Sequence, residues 1–213
     1  MSDASGRGSI PRLGWAVAFV ATAVLIAFIY YSLQSIRPHR VSEHLQKIAP
    51  VPAFQLTDQD GKSVTLDDLK GKIWVANFIF TRCKGPCPLT TLRMSELSRA
   101  LKKTRGDVQL ISFTVDPEYD TQPVLHEFAK QISANPDNWR FLTGSSQAIQ
   151  DIVVKGLLQP LMKEPDGTPA HSSRIVLVDR RGWLRGYEDG IEAEAVQKLM
   201  VDIGELLREN QSK

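Results

Sequence analysis

The sequence predicts an α/β domain, a mixed sheet with helices on both faces, carried behind an apolar N-terminal segment. Three observations lead there. The runs 73–80, 108–115 and 174–179 are almost continuously apolar, as strands buried on both faces require. Between them, apolar residues recur at helical spacing. Turn signals at Asp60-Gly61 and at Arg180-Arg181-Gly182 join neighbouring strands into hairpins. A chain of 213 residues with 42% hydrophobic and 23% charged residues excludes a disordered or collagen-like class. Its 26 basic and 24 acidic residues leave +2, too little for a bulk field directed at nucleic acid or an anionic surface.

In order along the chain, residues 1–12 read as a short N-terminal arm. The run 13–36 carries no charge and is long enough to span a hydrocarbon layer of about 30 Å as a single transmembrane helix. Trp15 lies at one end, and Tyr30 and Tyr31 at the other, where amphipathic rings prefer the interfaces. A cleaved secretory signal would need a shorter apolar run and a small-x-small cleavage site. Arg7 and Arg12 before the span are balanced by Arg37 and Arg40 after it, so charge does not set the orientation. Residues 37–52, polar and ending in two prolines, read as a tether that carries His39 and His44.

Residues 53–213, about 160, suit one domain. Phe54–Leu56 and Ser63–Thr65 form the expected N-terminal β-hairpin, and Thr65–Lys70 a single helical turn. Ile73–Phe80 is the central strand. A helix follows Cys87-Pro88, with Leu92, Met94, Leu97 and Leu101 on its stripe; Pro88 is tolerated in a first turn because its missing N–H needs no partner there. Val108–Val115 is the second strand, and residues 124–132, opened by Thr121, the second helix. Arg140–Thr143 is a short strand, and Ser145 caps a helix running to about Val154. Arg174–Asp179 and Trp183–Tyr187 form the late hairpin, and Ile191–Leu207 is the closing helix.

Chemistry concentrates in Phe80-Thr-Arg-Cys83-Lys-Gly-Pro-Cys87-Pro88, where a buried strand ends and a helix begins. Thiols at a helix N-terminus feel its positive end, and Arg82 and Lys84 add charge, so the thiolate is expected to be favoured. Thiolates attack disulfides and bind soft metals, and the spacing alone does not choose between thiol-disulfide exchange and a copper or zinc site. Candidates to complete a metal site are few. His171, in the polar loop 168–173, is either a solvated histidine or a ligand. His126 reads as a surface residue and Met94 as core packing, while Met162 lies in an irregular loop. Asp116, followed by Pro117, ends the second strand on the side where a ligand crevice would open. Two thiolates and one imidazole would make a soft, low-coordinate site suited to Cu(I). No dinucleotide fingerprint, phosphate loop, zincin helix or nucleophile-elbow serine is present.

Taken together, Phe54–Gly61, Asp68–Lys72, Phe80–Pro88, Val115–Thr121 and the late His171 make a sequence that resembles the Sco/SenC family of thioredoxin-fold, membrane-anchored copper proteins. The resemblance spans about Pro52 to Leu207. It implies a thioredoxin-like domain in which Cys83, Cys87 and His171 bind one copper ion. It also implies a role in assembling the binuclear copper centre of cytochrome c oxidase, with that enzyme's copper-bearing subunit as partner. Two roles stay open: delivery of copper, or reduction of the oxidase's own cysteines by a Cys83/Cys87 redox pair so that another copper donor can load them. Asp116 matches a family segment and would shape the site without ligating. The Lys84-Gly-Pro86 insert departs from the family and would shift redox potential and metal preference. An outward-facing oxidase centre places the C-terminal domain on the extracytoplasmic side of a single-pass anchor. The rival reading is an extracytoplasmic thiol-disulfide oxidoreductase with no metal role, and a third is an anchored interaction module.

Overall fold

A computed structural model describes residues 12–35, 45–83, 85, 87–104, 106–165 and 167–209. The chain divides into two compact units, Met1–Glu43 and His44–Lys213. In the first, α1 (Arg12–Ser35) is a 24-residue helix. Its described side chains, Trp15 and residues 20–30, are all exposed, with no polar face. Among the described residues no helix is long and apolar enough to cross a membrane. Of the apolar run expected to span a bilayer, the described residues 13–35 are helical. His39, His44 and Lys84 lie outside the described residues.

The second unit begins with β1 (Ala49–Pro50), β2 (Gln55–Asp58), β3 (Ser63–Thr65) and α2 (Leu66–Leu69). In the tight turn between β2 and β3, Gly61 takes a φ of +79°, which an L side chain resists. The Asp58 carboxylate accepts the N–H groups of Asp60 and Lys62, both at 2.9 Å. Thr65 caps α2 in a reciprocal capping box with Asp68. Then follow β4 (Ile73–Ile79), α3 (Cys87–Ala100), β5 (Val108–Thr114), α4 (Gln122–Gln131), β6 (Trp139–Thr143) and α5 (Ser146–Gln150). A π-helical turn over Asp151–Gly156 continues α5. The chain closes with β7 (Leu161–Lys163), β8 (Pro169–His171), β9 (Arg174–Val178), β10 (Trp183–Asp189) and α6 (Ala195–Glu209).

Eight strands form one mixed sheet in the order β1-β10-β9-β4-β5-β6-β2-β3, with β7 and β8 as a separate ribbon. β4, β5 and β6 run parallel, and the other pairings are antiparallel. Every residue of β4 and β5 is buried, as their apolar runs require. Alternation then assigns the two faces. Trp74, Ala76 and Phe78 pack with Ile149, Ile152 and Val153 on one side. Ile73, Val75 and Ile79 pack on the other with Met94 of α3, Leu125 of α4 and Leu199 and Ile203 of α6.

Three local expectations change. The end of the expected tether belongs to the sheet: Ala49 and Pro50 pair with Leu184 and Trp183. The Leu45 carbonyl accepts from Arg185, whose guanidinium also meets Asp179 at 2.9 Å and Glu209 at 2.6 Å. Met162 stands on β7, paired with Ala170, and is not in an irregular loop. His171 likewise ends a strand, paired with Leu161. A three-residue ribbon has too little alternation to mark itself in sequence.

Candidate metal centre

The site is built where β4 ends. Cys83 follows the turn after Phe80, its N–H donating to the Phe80 carbonyl at 3.0 Å, and Cys87 is the first residue of α3. The partner element comes from far along the chain. Gly190 lies so close that a Cβ there would stand 2.7 Å from the Ser173 carbonyl and 2.9 Å from Thr90 Cγ2. Only glycine lets the first turn of α3 meet the 171–173 segment so closely. His171 is thereby brought to Cys87, with Nε2 3.2 Å from Sγ. Its Nδ1 lies 2.8 Å from the Ser172 carbonyl. A neutral ring donating from Nδ1 to that carbonyl leaves the Nε2 lone pair directed at the sulfur. The Phe80 ring holds the imidazole edge-on, with centroids 5.8 Å apart.

One ligand atom each from Cys83, Cys87 and His171 falls within 4.8 Å of the other two. The cluster opens into a cavity of about 790 Å³ lined by Phe80, Arg82, Cys83, Glu164, Thr168 and His171, among others. Both cysteines are free thiols, Cys83 half-buried and Cys87 4% exposed. Two soft sulfurs beside a neutral imidazole are a donor set suited to a soft, low-coordinate cation.

The thiols differ from the sequence expectation in one respect. Burial, and next the hydrogen bond with Cys83, push the Cys87 thiol up to about 12. Desolvation outweighs the helix terminus at this position. Nor is Arg82 free to supply charge: its guanidinium bonds Asp116 at 2.6 Å and lies 3.8 Å from the centroid of the Tyr119 ring. Burial also lowers the His171 pKa, so the ring is held neutral. A thiol whose folded pKa is raised contributes stability that is full below its ordinary value of 9.0 and is lost as pH rises toward about 12. For the reduced protein, the stability difference between the native chain and Cys87→Ala is accordingly expected to shrink from about pH 8 to about pH 11. Urea unfolding across that range checks it, and a constant difference would refute it.

The remaining candidates are placed as follows. Asp116 is half-buried and held by Arg82, outside the three-residue cluster. Met94 is fully buried core, and Met162 is 66% exposed. His126 sits with Asp60 at 3.2 Å, outside the cluster. Sequence reasoning missed Asp120, which is wholly buried. Its carboxylate accepts from Thr81 N at 3.0 Å, Thr81 Oγ1 at 2.5 Å and Thr114 Oγ1 at 2.6 Å. It reads in sequence as one more turn aspartate, and only its burial marks it.

The SCO1/SenC family profile matches residues 42–207. A SCO1 protein homologue from Bacillus subtilis is 38% identical over 156 residues, covering 72% of this chain and 80% of its own. Among solved structures, BsSco superposes with a TM-score of 0.66 at 36% identity, over 76% of this chain and 98% of that one. BsSco is described as a member of the Sco family of cytochrome c oxidase assembly proteins with a disulfide switch. Bradyrhizobium japonicum ScoI with copper bound superposes at 0.63 with 30% identity, over 74% of this chain and 99% of that one. With a curled mixed sheet flanked by helices, a Cys-Cys-His cluster at the end of its central strand and a family match over most of its length, this chain belongs to the SCO1/SenC family.

Proposed function

We propose that this chain is a membrane-anchored copper-binding protein that assists assembly of the binuclear copper centre of cytochrome c oxidase. In this reading Cys83, Cys87 and His171 hold one copper ion, and the oxidase's copper-bearing subunit is the partner. The observation that carries it is the set of three donor atoms within 4.8 Å of one another, with His171 Nε2 turned toward Cys87 Sγ. Copper-bound relatives from Bradyrhizobium japonicum and Arabidopsis thaliana support the choice of metal. Two thiolates and an imidazole stabilise Cu(I), and Cys87 gives up its proton when the metal is taken, which makes uptake pH-dependent. The uncharged run 13–36 is the anchor, and the domain stands on the extracytoplasmic side, where an outward-facing oxidase centre is reached.

The full chain, reduced and offered Cu(I), is expected to bind about one equivalent. A stoichiometry near zero refutes the copper role, and a reporter fused after Lys213 that reads cytoplasmic refutes the topology. A second reading is favoured by one observation, two free thiols whose sulfurs lie within 4.8 Å of each other: an extracytoplasmic thiol-disulfide oxidoreductase that reduces the oxidase's cysteines without holding metal. Activity that survives His171→Ala but not Cys83→Ser would select it.

A further inference from the structure

The segment that carries Cys83 is held from one side by the loop after β5. Arg82 is gripped through its side chain, by Asp116 at 2.6 Å and over the Tyr119 ring. Thr81 is gripped through backbone and side chain together: its N–H and its hydroxyl both donate to Asp120, at 3.0 and 2.5 Å. The Thr114 hydroxyl completes the frame, accepting from Asp116 N at 3.0 Å and donating to Asp120 at 2.6 Å. Asp120 N donates to the Asp116 carbonyl at 2.8 Å, closing the loop on itself. The carboxylate is wholly buried, faces no cation at hydrogen-bond distance among the described residues, and raises its own pKa by that burial. Burying a carboxyl group costs free energy, and the hydrogen bonds made here fall on the residue two before Cys83. The opposing sulfur is fixed independently, because Cys87 is buried and begins α3.

We propose that Asp120 is the positioning residue of the thiol loop, holding Thr81 so that Cys83 stays within bonding reach of Cys87. This rests on the reading of the two cysteines as a working pair, and it adds a residue outside that pair that sets how readily they join. Without Asp120, three donors lose their partner and the turn at 81–83 relaxes, which lowers the effective concentration of one thiol at the other. A uniform loss of stability would weigh equally on the dithiol and the disulfide and leave their ratio unchanged. A change in that ratio is therefore specific to loop position.

The test is equilibration of the full chain with glutathione. The protein dithiol reduces one glutathione disulfide: two S–H bonds and the glutathione S–S bond break, the Cys83–Cys87 bond forms, and two electrons and two protons leave as two glutathione thiols. The equilibrium constant is expected to fall about tenfold in Asp120→Ala, equivalent to about 30 mV for this two-electron couple. It should fall less in Thr81→Val, which removes only the hydroxyl donor. It should return to within about twofold of the native value in Asp120→Asn, which keeps a carbonyl acceptor. Constants within about twofold of native in both Asp120→Ala and Thr81→Val would overturn the proposal; if Asp120→Ala fails to fold, Thr81→Val decides. A native chain that forms no internal disulfide would refute the working pair itself and take this proposal with it.

Discussion

His171→Ala is expected to weaken Cu(I) binding by more than about 100-fold, since groups that merely orient a metal ligand already cost about 10- to 100-fold when removed. The reason lies in the donor set. With the imidazole gone, Cys83 and Cys87 are the only remaining members of the cluster, and Cys87, 4% exposed, has lost the lone pair that faced it at 3.2 Å. Its high pKa then works against metal uptake, because no neutral base adjoins the sulfur to ease loss of the proton. The same variant should still form the Cys83–Cys87 disulfide, which needs only the sulfurs. Competition against a Cu(I) chelator measures the first effect and thiol titration after mild oxidation the second. Undiminished affinity removes the histidine from the site, and loss of both properties means that the ribbon carrying His171 has collapsed.

Arg185→Met is expected to destabilise the domain by about 3–5 kcal/mol, the range for breaking a buried ion pair from one side. Arg185 and Asp179 are 4% and 9% exposed and meet at 2.9 Å. The same guanidinium ties Glu209 at the end of α6 and the Leu45 carbonyl before β1. Removing it leaves the Asp179 carboxylate with only the N–H groups of Arg181 and Trp183. Glu209→Gln is expected to cost less than about 1 kcal/mol, because that partner is 43% exposed and screened by water. Chemical unfolding of both variants checks the pair of values, and equal costs would mean that the stabilisation does not come from the buried Asp179.

Legibility in sequence followed the physical signal each element carries. β4, β5 and β9 announced themselves because a strand buried on both faces must be apolar throughout, and Cys83 and Cys87 because thiols are scarce. His171 was legible only as a candidate, since nothing in its neighbours shows that Gly190 closes the gap to α3. The β7–β8 ribbon and β1, each of three residues or fewer, are set by tertiary pairing and carry no periodicity. Proximity to a helix N-terminus and basic neighbours suggested a ready thiolate at Cys87, but the competing effect, desolvation, depends on depth, which a sequence does not display. Asp120 was hidden for the same reason.

The unequal burial of the two sulfurs has a kinetic consequence. A disulfide or metal-bearing group approaching through the cavity meets Cys83, which lines it, before Cys87, which lies behind. If the pair works by thiol exchange, as in the second reading above, the burial would set an order of events: the outer sulfur would form the intermolecular bond, and the inner one, within 4.8 Å of it, would release the partner by closing the ring. Departure is then a unimolecular event, with a rate set by the protein itself and independent of partner concentration.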